Sequence, residues 1–95
     1  MNKIKIYQLS HSTDYLFMDY EFAKKHNFNL KDYKLVYEFT NDSDSDIDII
    51  LEKVFVDFNI HRPNDFKGHS LSVSDIVKLN NKLYYVDSIG FKEIK

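Results

Sequence analysis

The pattern that most restricts this chain is the run Ile47, Ile50, Leu51, Val54, Phe55 and Phe58, which recur at i, i+3, i+4, i+7, i+8 and i+11. That spacing draws one continuous apolar stripe along a three-turn helix. Asp46 and Asp48 stand where the positive end of a helix dipole favours carboxylates, and Ser45 or Asp46 is placed to cap the first turn.

The segments around this helix alternate with period two. Lys3 to Leu9 places Ile4 and Ile6 on one side and lysines on the other, which is a half-buried strand. Asp32 to Phe39 alternates again, with Tyr33, Leu35, Tyr37 and Phe39 expected on one side. Between the two, the polar break Ser10 to Asp14 is followed by Leu16, Phe17, Tyr20, Ala23 and Lys24, whose spacing predicts a short helix within Tyr15 to Asn27. Ile76 to Leu79 and Leu83 to Val86 flank Asn80-Asn81-Lys82, a turn in which Asn tolerates the left-handed conformation, so a hairpin is predicted. Gly90 then permits a bend before an edge strand over Phe91 to Ile94. The expected fold is α+β: a single domain over residues 1–95, in the order β-α-β-α-β-β-β. Its mostly antiparallel sheet has four to five strands, with two helices on one face.

Composition excludes several classes. A chain of 95 residues buries a small core, so its eight Phe and seven Tyr carry much of the apolar area. The lack of cysteine removes disulfides, thiolate zinc sites and a cysteine nucleophile, and suits a reducing cytoplasm, the expected location. No apolar run reaches the roughly 18 residues of a membrane span, so no membrane partner is expected. A net charge of −2 gives no overall attraction to nucleic acid. Tyr7, Tyr84 and Tyr85 could form a stacking platform, but aromatics interleaved on strands read first as core packing.

Two constellations invite chemistry. Asp42, Asp44, Asp46 and Asp48 alternate like a calcium loop, yet Ile47 stands where that loop needs glycine, and Lys53 where it needs a bidentate glutamate. The plainer reading is a solvated acidic loop ahead of a helix. From Leu35 through Glu52 there are six carboxylates and no Lys or Arg, a local negative surface able to steer the chain toward a basic groove. His61, His69, Ser70, Ser72, Ser74 and Asp75 bring the residue types of a hydrolase, but without a nucleophile elbow, and serines beside turns more often bond the backbone. His61 and His69 lie eight apart, matching no standard metal pair. No metal or other cofactor is called for.

The segment Phe58 to Asp75 holds the one proline and one of the two glycines. Pro63 pushes Arg62 toward extended geometry, Asn64-Asp65 favours a turn, and Gly68 permits a conformation closed to other residues. Phe66 is expected to anchor this loop to the core, while Ser70, Ser72, Ser74 and Asp75 satisfy backbone groups as the chain re-enters the sheet.

This run, FNIHRPNDFKGHSLSVSDIV over Phe58 to Val77, resembles the YodL-like domain family, as does Tyr85-Val86-Asp87-Ser88-Ile89-Gly90-Phe91. Ile6-Tyr7-Gln8-Leu9 and Asp32 to Tyr37 resemble it too, so the likeness spans nearly the whole chain. Asn64 departs from the acidic residue common in similar proteins, and the Asn80-Asn81 turn is short. Family members often occur inside large mobile-element polypeptides of Firmicutes beside antirestriction proteins, and a copy with no further domain resembles a dedicated small effector. The family brings no catalytic residues to carry over.

The resemblance therefore implies a non-enzymatic inhibitor from a phage, plasmid or conjugative element. Its expected partner is a host protein, a CRISPR or restriction nuclease being the concrete form, with no direct hold on nucleic acid. A cytoskeletal or other cellular target, or a nucleic-acid-binding accessory role in a conjugative element, are the alternatives. Partner contacts are expected from Asp42, Asp44, Asp46, His61, Arg62, Asp65, Lys67 and His69. Pro63, Phe66, Gly68, Ser70, Ser72, Ser74, Asp75 and Gly90 are expected to shape the loops.

Overall fold

The stripe from Ile47 to Phe58 forms a helix of 14 residues, Ile47–Ile60, and the period-two segments pair into one sheet beneath it. The computed structural model of the chain describes residues 1–94; Lys95, the last position of the expected domain, lies outside them. In chain order the elements are β1 (Asn2–Leu9), α1 (Tyr20–Lys25), a 3-10 turn (Leu30–Asp32), β2 (Tyr33–Asn41), α2 (Ile47–Ile60), β3 (Ile76–Leu79), β4 (Lys82–Val86) and β5 (Phe91–Ile94). The strands lie in the order β2-β1-β3-β4-β5, and every pairing is antiparallel. The fold is α+β with the expected element order.

The two helices do not share a face of the sheet. Ile50, Leu51, Val54 and Phe58 of α2 join Ile4, Ile6, Val77, Leu79, Tyr84 and Val86 in one core. Ala23 of α1 belongs instead to a second core with Tyr15, Ile76 and Tyr85, packed on by Tyr7, Tyr20, Phe28 and Tyr33. Successive side chains of a strand point to opposite faces, so Val77 and Ile76 necessarily serve different cores. The expectation of both helices on one face is corrected here: β3 and β4 are apolar on both sides, and each side needs a cover.

β2 also departs from simple alternation. Ile6 pairs with Tyr37 and Tyr7 with Leu35, so Val36 is the extra residue of a bulge. Beyond the bulge, Tyr37 and Phe39 face α2, while Tyr33 lies in the second core. Tyr33, Leu35, Tyr37 and Phe39 therefore do not line one side. α1 is likewise shorter than its periodicity predicts. Phe17 takes a positive φ of 66°, Asp19 caps the helix by accepting from the Phe22 amide at 2.8 Å, and Asn27, at φ 65°, ends it.

The predicted hairpin forms, with Asn80 left-handed at φ 56°. Asn80 reaches beyond it: its amide donates to the Lys3 carbonyl at 2.8 Å and its Oδ1 accepts from the Lys3 amide at 3.0 Å. Gly90, at φ 71°, makes the turn that its position suggested, with its carbonyl accepting from the Asp87 amide before edge strand β5.

Candidate functional site

The acidic segment stands clear of both cores. Asp42, Asp44, Asp46, Asp48 and Glu52 are all exposed, whereas Glu38 of β2 points with its partner Lys5 to the other face of the sheet. Asp46 occupies the N-cap position of α2 without a side-chain bond to the first turn, so its carboxylate faces solvent and the helix dipole only. Apolar side chains interleave with these acids on the outer side of α2: Ile47, Ile49, Val56 and Ile60 are between 43 and 69 % exposed.

The segment 61–75 returns from α2 to β3 and is held at points the sequence indicated. Phe66 is buried against Phe58 and Tyr37, with ring centroids 5.1 and 5.7 Å away, and its amide donates to the Pro63 carbonyl. Asp65 accepts from the Tyr37 hydroxyl at 2.8 Å, a bond that holds the Tyr37 pKa above its usual value. His61 ends α2, its amide donating to the Asp57 carbonyl, while Arg62 and Lys67 are exposed. Gly68 is required for a reason other than the expected one. Its φ is ordinary, but a Cβ there would lie 2.2 Å from Gln8 Oε1.

Gln8 is the polar residue that the sequence reading passed over. The alternation that turns Ile4 and Ile6 inward turns Gln8 inward as well, and it is buried at the edge of the α2 core. Its Nε2 donates to the His69 carbonyl at 2.8 Å and to Asp75 Oδ2 at 3.1 Å. Asp75, 1 % exposed, also accepts from the Ser72 amide at 2.9 Å, while its Oδ1 has no hydrogen-bond partner among the described residues. His69 Nε2 stands 3.9 Å from that Oδ1, and His69 Nδ1 lies 2.7 Å from the Ser70 carbonyl. Burial raises the Asp75 pKa to about 6, against the Ser72 amide, the nearby imidazole and Gln8, which all pull it down.

An imidazole and a carboxylate thus meet, but the hydroxyls beside them are engaged by the backbone. Ser72 Oγ donates to the Ser70 carbonyl at 2.8 Å, and Ser74 Oγ accepts from the Phe17 amide at 3.0 Å. Ser74, at φ 86°, also accepts from the Tyr33 hydroxyl through its carbonyl, so it ties the cover of the second core to the sheet. The arrangement orders a loop. Among the described residues no three His, Asp or Glu side chains are grouped to hold a metal ion. The tyrosine platform does not assemble: Tyr84 lies in the α2 core and Tyr85 in the other.

The expected partner residues divide into two separate groups. Asp42, Asp44 and Asp46 lie between β2 and α2, while His61, Arg62, Asp65, Lys67 and His69 lie along the 61–75 loop. No helix of the described residues is long and apolar enough to cross a membrane.

Comparison with known proteins adds two matches. The family model of the YodL-like domain matches residues 3–95. A protein of Acanthamoeba polyphaga mimivirus, called uncharacterized protein R785, is 40 % identical over 80 residues, covering 70 % of this chain and 73 % of the relative. No solved structure matches.

Proposed function

Since the chain belongs to the YodL-like domain family, we propose that it is a small binding protein, without catalysis of its own, that inhibits a DNA-targeting defence factor of its host. The CRISPR and restriction nucleases are the concrete target class. One observation carries this reading: the exposed carboxylates Asp42, Asp44, Asp46, Asp48 and Glu52 share a surface with the exposed Ile47 and Ile49.

A nuclease that grips DNA does so with a channel lined by lysine and arginine, because phosphate neutralisation dominates its affinity. Closely spaced carboxylates complement such a channel and speed encounter at low salt. The isoleucines add apolar contact of the kind that dominates tight interfaces once water is excluded. The mimivirus relative supports the reading in one respect: a viral genome carries a protein similar to this one.

The test is a cleavage assay on nucleases recovered from the host by affinity capture. The wild-type protein is expected to block cleavage, and the triple variant D42N/D44N/D46N to lose about tenfold or more in potency together with much of the salt dependence. Capture that recovers no defence component, with every assayed nuclease left active, overturns the proposal.

A further inference from the structure

The second face of the sheet is only half covered. The segment 10–33 packs over Tyr7, Leu9, Ile76 and Tyr85. By the pleat, Lys3, Lys5 and Lys78 point to this same face on its other half, where none of them is buried. Lys5 and Lys78 are direct cross-strand partners between β1 and β3, the second and third strands of five. Like charges placed opposite one another destabilise a sheet. One acid is near, Glu38, whose Oε2 lies 3.9 Å from Lys5 Nζ; Lys3 and Lys78 have no ion-pair partner among the described residues.

Beside Lys78 a cleft of about 220 Å³ opens between Tyr7, Leu30, Tyr33, Ile76 and Leu83. Its walls are apolar and aromatic, with the lysine as the charged group. Leu30 comes from the 3-10 turn and is 46 % exposed at the lip. The volume falls below the roughly 300–1,000 Å³ of sites for drug-sized ligands, so the cleft accepts one ring and leaves the rest of a ligand outside.

We propose that this cleft binds a small aromatic anion, its ring held among Tyr7, Tyr33, Ile76 and Leu83 and its acid group on Lys78 and Lys5. The acid group neutralises the facing ammonium pair, and the ring removes apolar surface from water. A single cluster of cations bordered by Glu38, in a chain of net charge −2, suits one anionic group better than the repeated phosphates of a strand. The ring-plus-acid chemistry is met by a mononucleotide or by an aryl carboxylate, and the experiment separates the two.

The isotope-labelled protein is titrated, with amide shifts followed by NMR, against adenosine monophosphate, indole-3-acetate, inorganic phosphate and a short single-stranded oligonucleotide. At least one of the two ring-bearing anions is expected to give saturable shifts centred on Tyr7, Ile76, Lys78 and Leu83. Inorganic phosphate should bind about tenfold more weakly or worse, and whichever ring anion is tighter identifies the source. Lys78→Met keeps the aliphatic stem and removes the charge. It is expected to weaken the tighter ligand about tenfold while leaving Tm unchanged or higher, since the repulsion with Lys5 is relieved. Four results overturn the proposal: no saturable shift from either ring anion at millimolar concentration, phosphate alone binding equally well, the oligonucleotide binding where the mononucleotide does not, or a lower Tm for Lys78→Met. None of them bears on the acidic surface, whose assay uses different residues and a different partner.

Discussion

The two faces of the sheet are closed by different physics. On the α2 side, a regular helix lays Ile50, Leu51, Val54 and Phe58 over Ile4, Ile6, Val77 and Leu79, and Phe39, Tyr37 and Phe66 crowd around Phe58 at 5.1 to 5.6 Å. The opposite side is closed by an irregular segment with one short helix, and its tyrosines act twice. Tyr15, Tyr33 and Tyr85 meet Phe28 edge to face while their hydroxyls donate to Asp32, the Ser74 carbonyl and the Met18 carbonyl. Burial is the main cause that raises all three phenol pKa values, Tyr15 to about 12, so each remains a donor at neutral pH. A regular element can close a face by area alone; an irregular one needs directional bonds to fix where its backbone lies.

The largest expected effect is on the helix side. Phe58→Ala removes the ring at the centre of that cluster and should cost about 3–5 kcal/mol, a large part of the roughly 5–15 kcal/mol available to a domain, read from urea denaturation. A loss below about 1 kcal/mol would mean that area is not what holds this face.

Next comes Asp75, where the helix side ends in polar groups. Its folded pKa of about 6 lies above the ordinary aspartate value of 3.8, so the folded state holds the proton more tightly. Its contribution is therefore fully present below about pH 4 and is lost as pH rises through 6, a change on the order of 3 kcal/mol. Asp75→Asn should flatten that part of the stability profile relative to wild type and leave the variant more stable at pH 7. Parallel profiles for the two proteins would show that the carboxylate is solvated in the folded state.

Gly68→Ala sharpens the same corner. The new Cβ would meet Gln8 Oε1, and Gln8 cannot retreat without weakening its bonds to His69 and Asp75, so about 1–3 kcal/mol of stability should be lost. If Gln8→Ala restores the stability of Gly68→Ala, the clash is with that side chain.

The smallest effect tests the other face. Tyr85→Phe keeps the ring and deletes its 2.6 Å bond to the Met18 carbonyl, with an expected cost of about 1 kcal/mol. Hydrogen exchange should report the loss in residues 15–20, away from α2. A cost rivalling that of Phe58→Ala would erase the distinction between the faces.

The regular parts of this fold were legible because their periodicity is local. The α2 stripe, the β1 alternation and the Asn80 hairpin each declare themselves within a dozen residues, and the loop motif declares the family. What was not legible depends on contacts between distant residues. Alternation in β2 gave no warning of the bulge at Val36, because the bulge exists only relative to β1. Spacing in Tyr15 to Asn27 gave no sign that Phe17 would leave the helical region to reach Ser74. The side on which α1 packs follows from apolar residues on both faces of β3, which a strand of four residues does not advertise. In the candidate site, the loop residues were recognised, but the role of Gly68 needed Gln8, sixty positions earlier.

The register that places β1 between β2 and β3 sets the timetable of folding. β1 makes one of its two ladders with β2 and must wait for Ile76–Leu79, far along the sequence, to make the other. Contacts of such long sequence separation slow folding, because loop closure precedes the reward. During synthesis, therefore, Ile4 and Ile6 stay without Leu79 and Val77, their partners across the ladder, until β3 has emerged, and in that interval the nascent chain is most prone to aggregate.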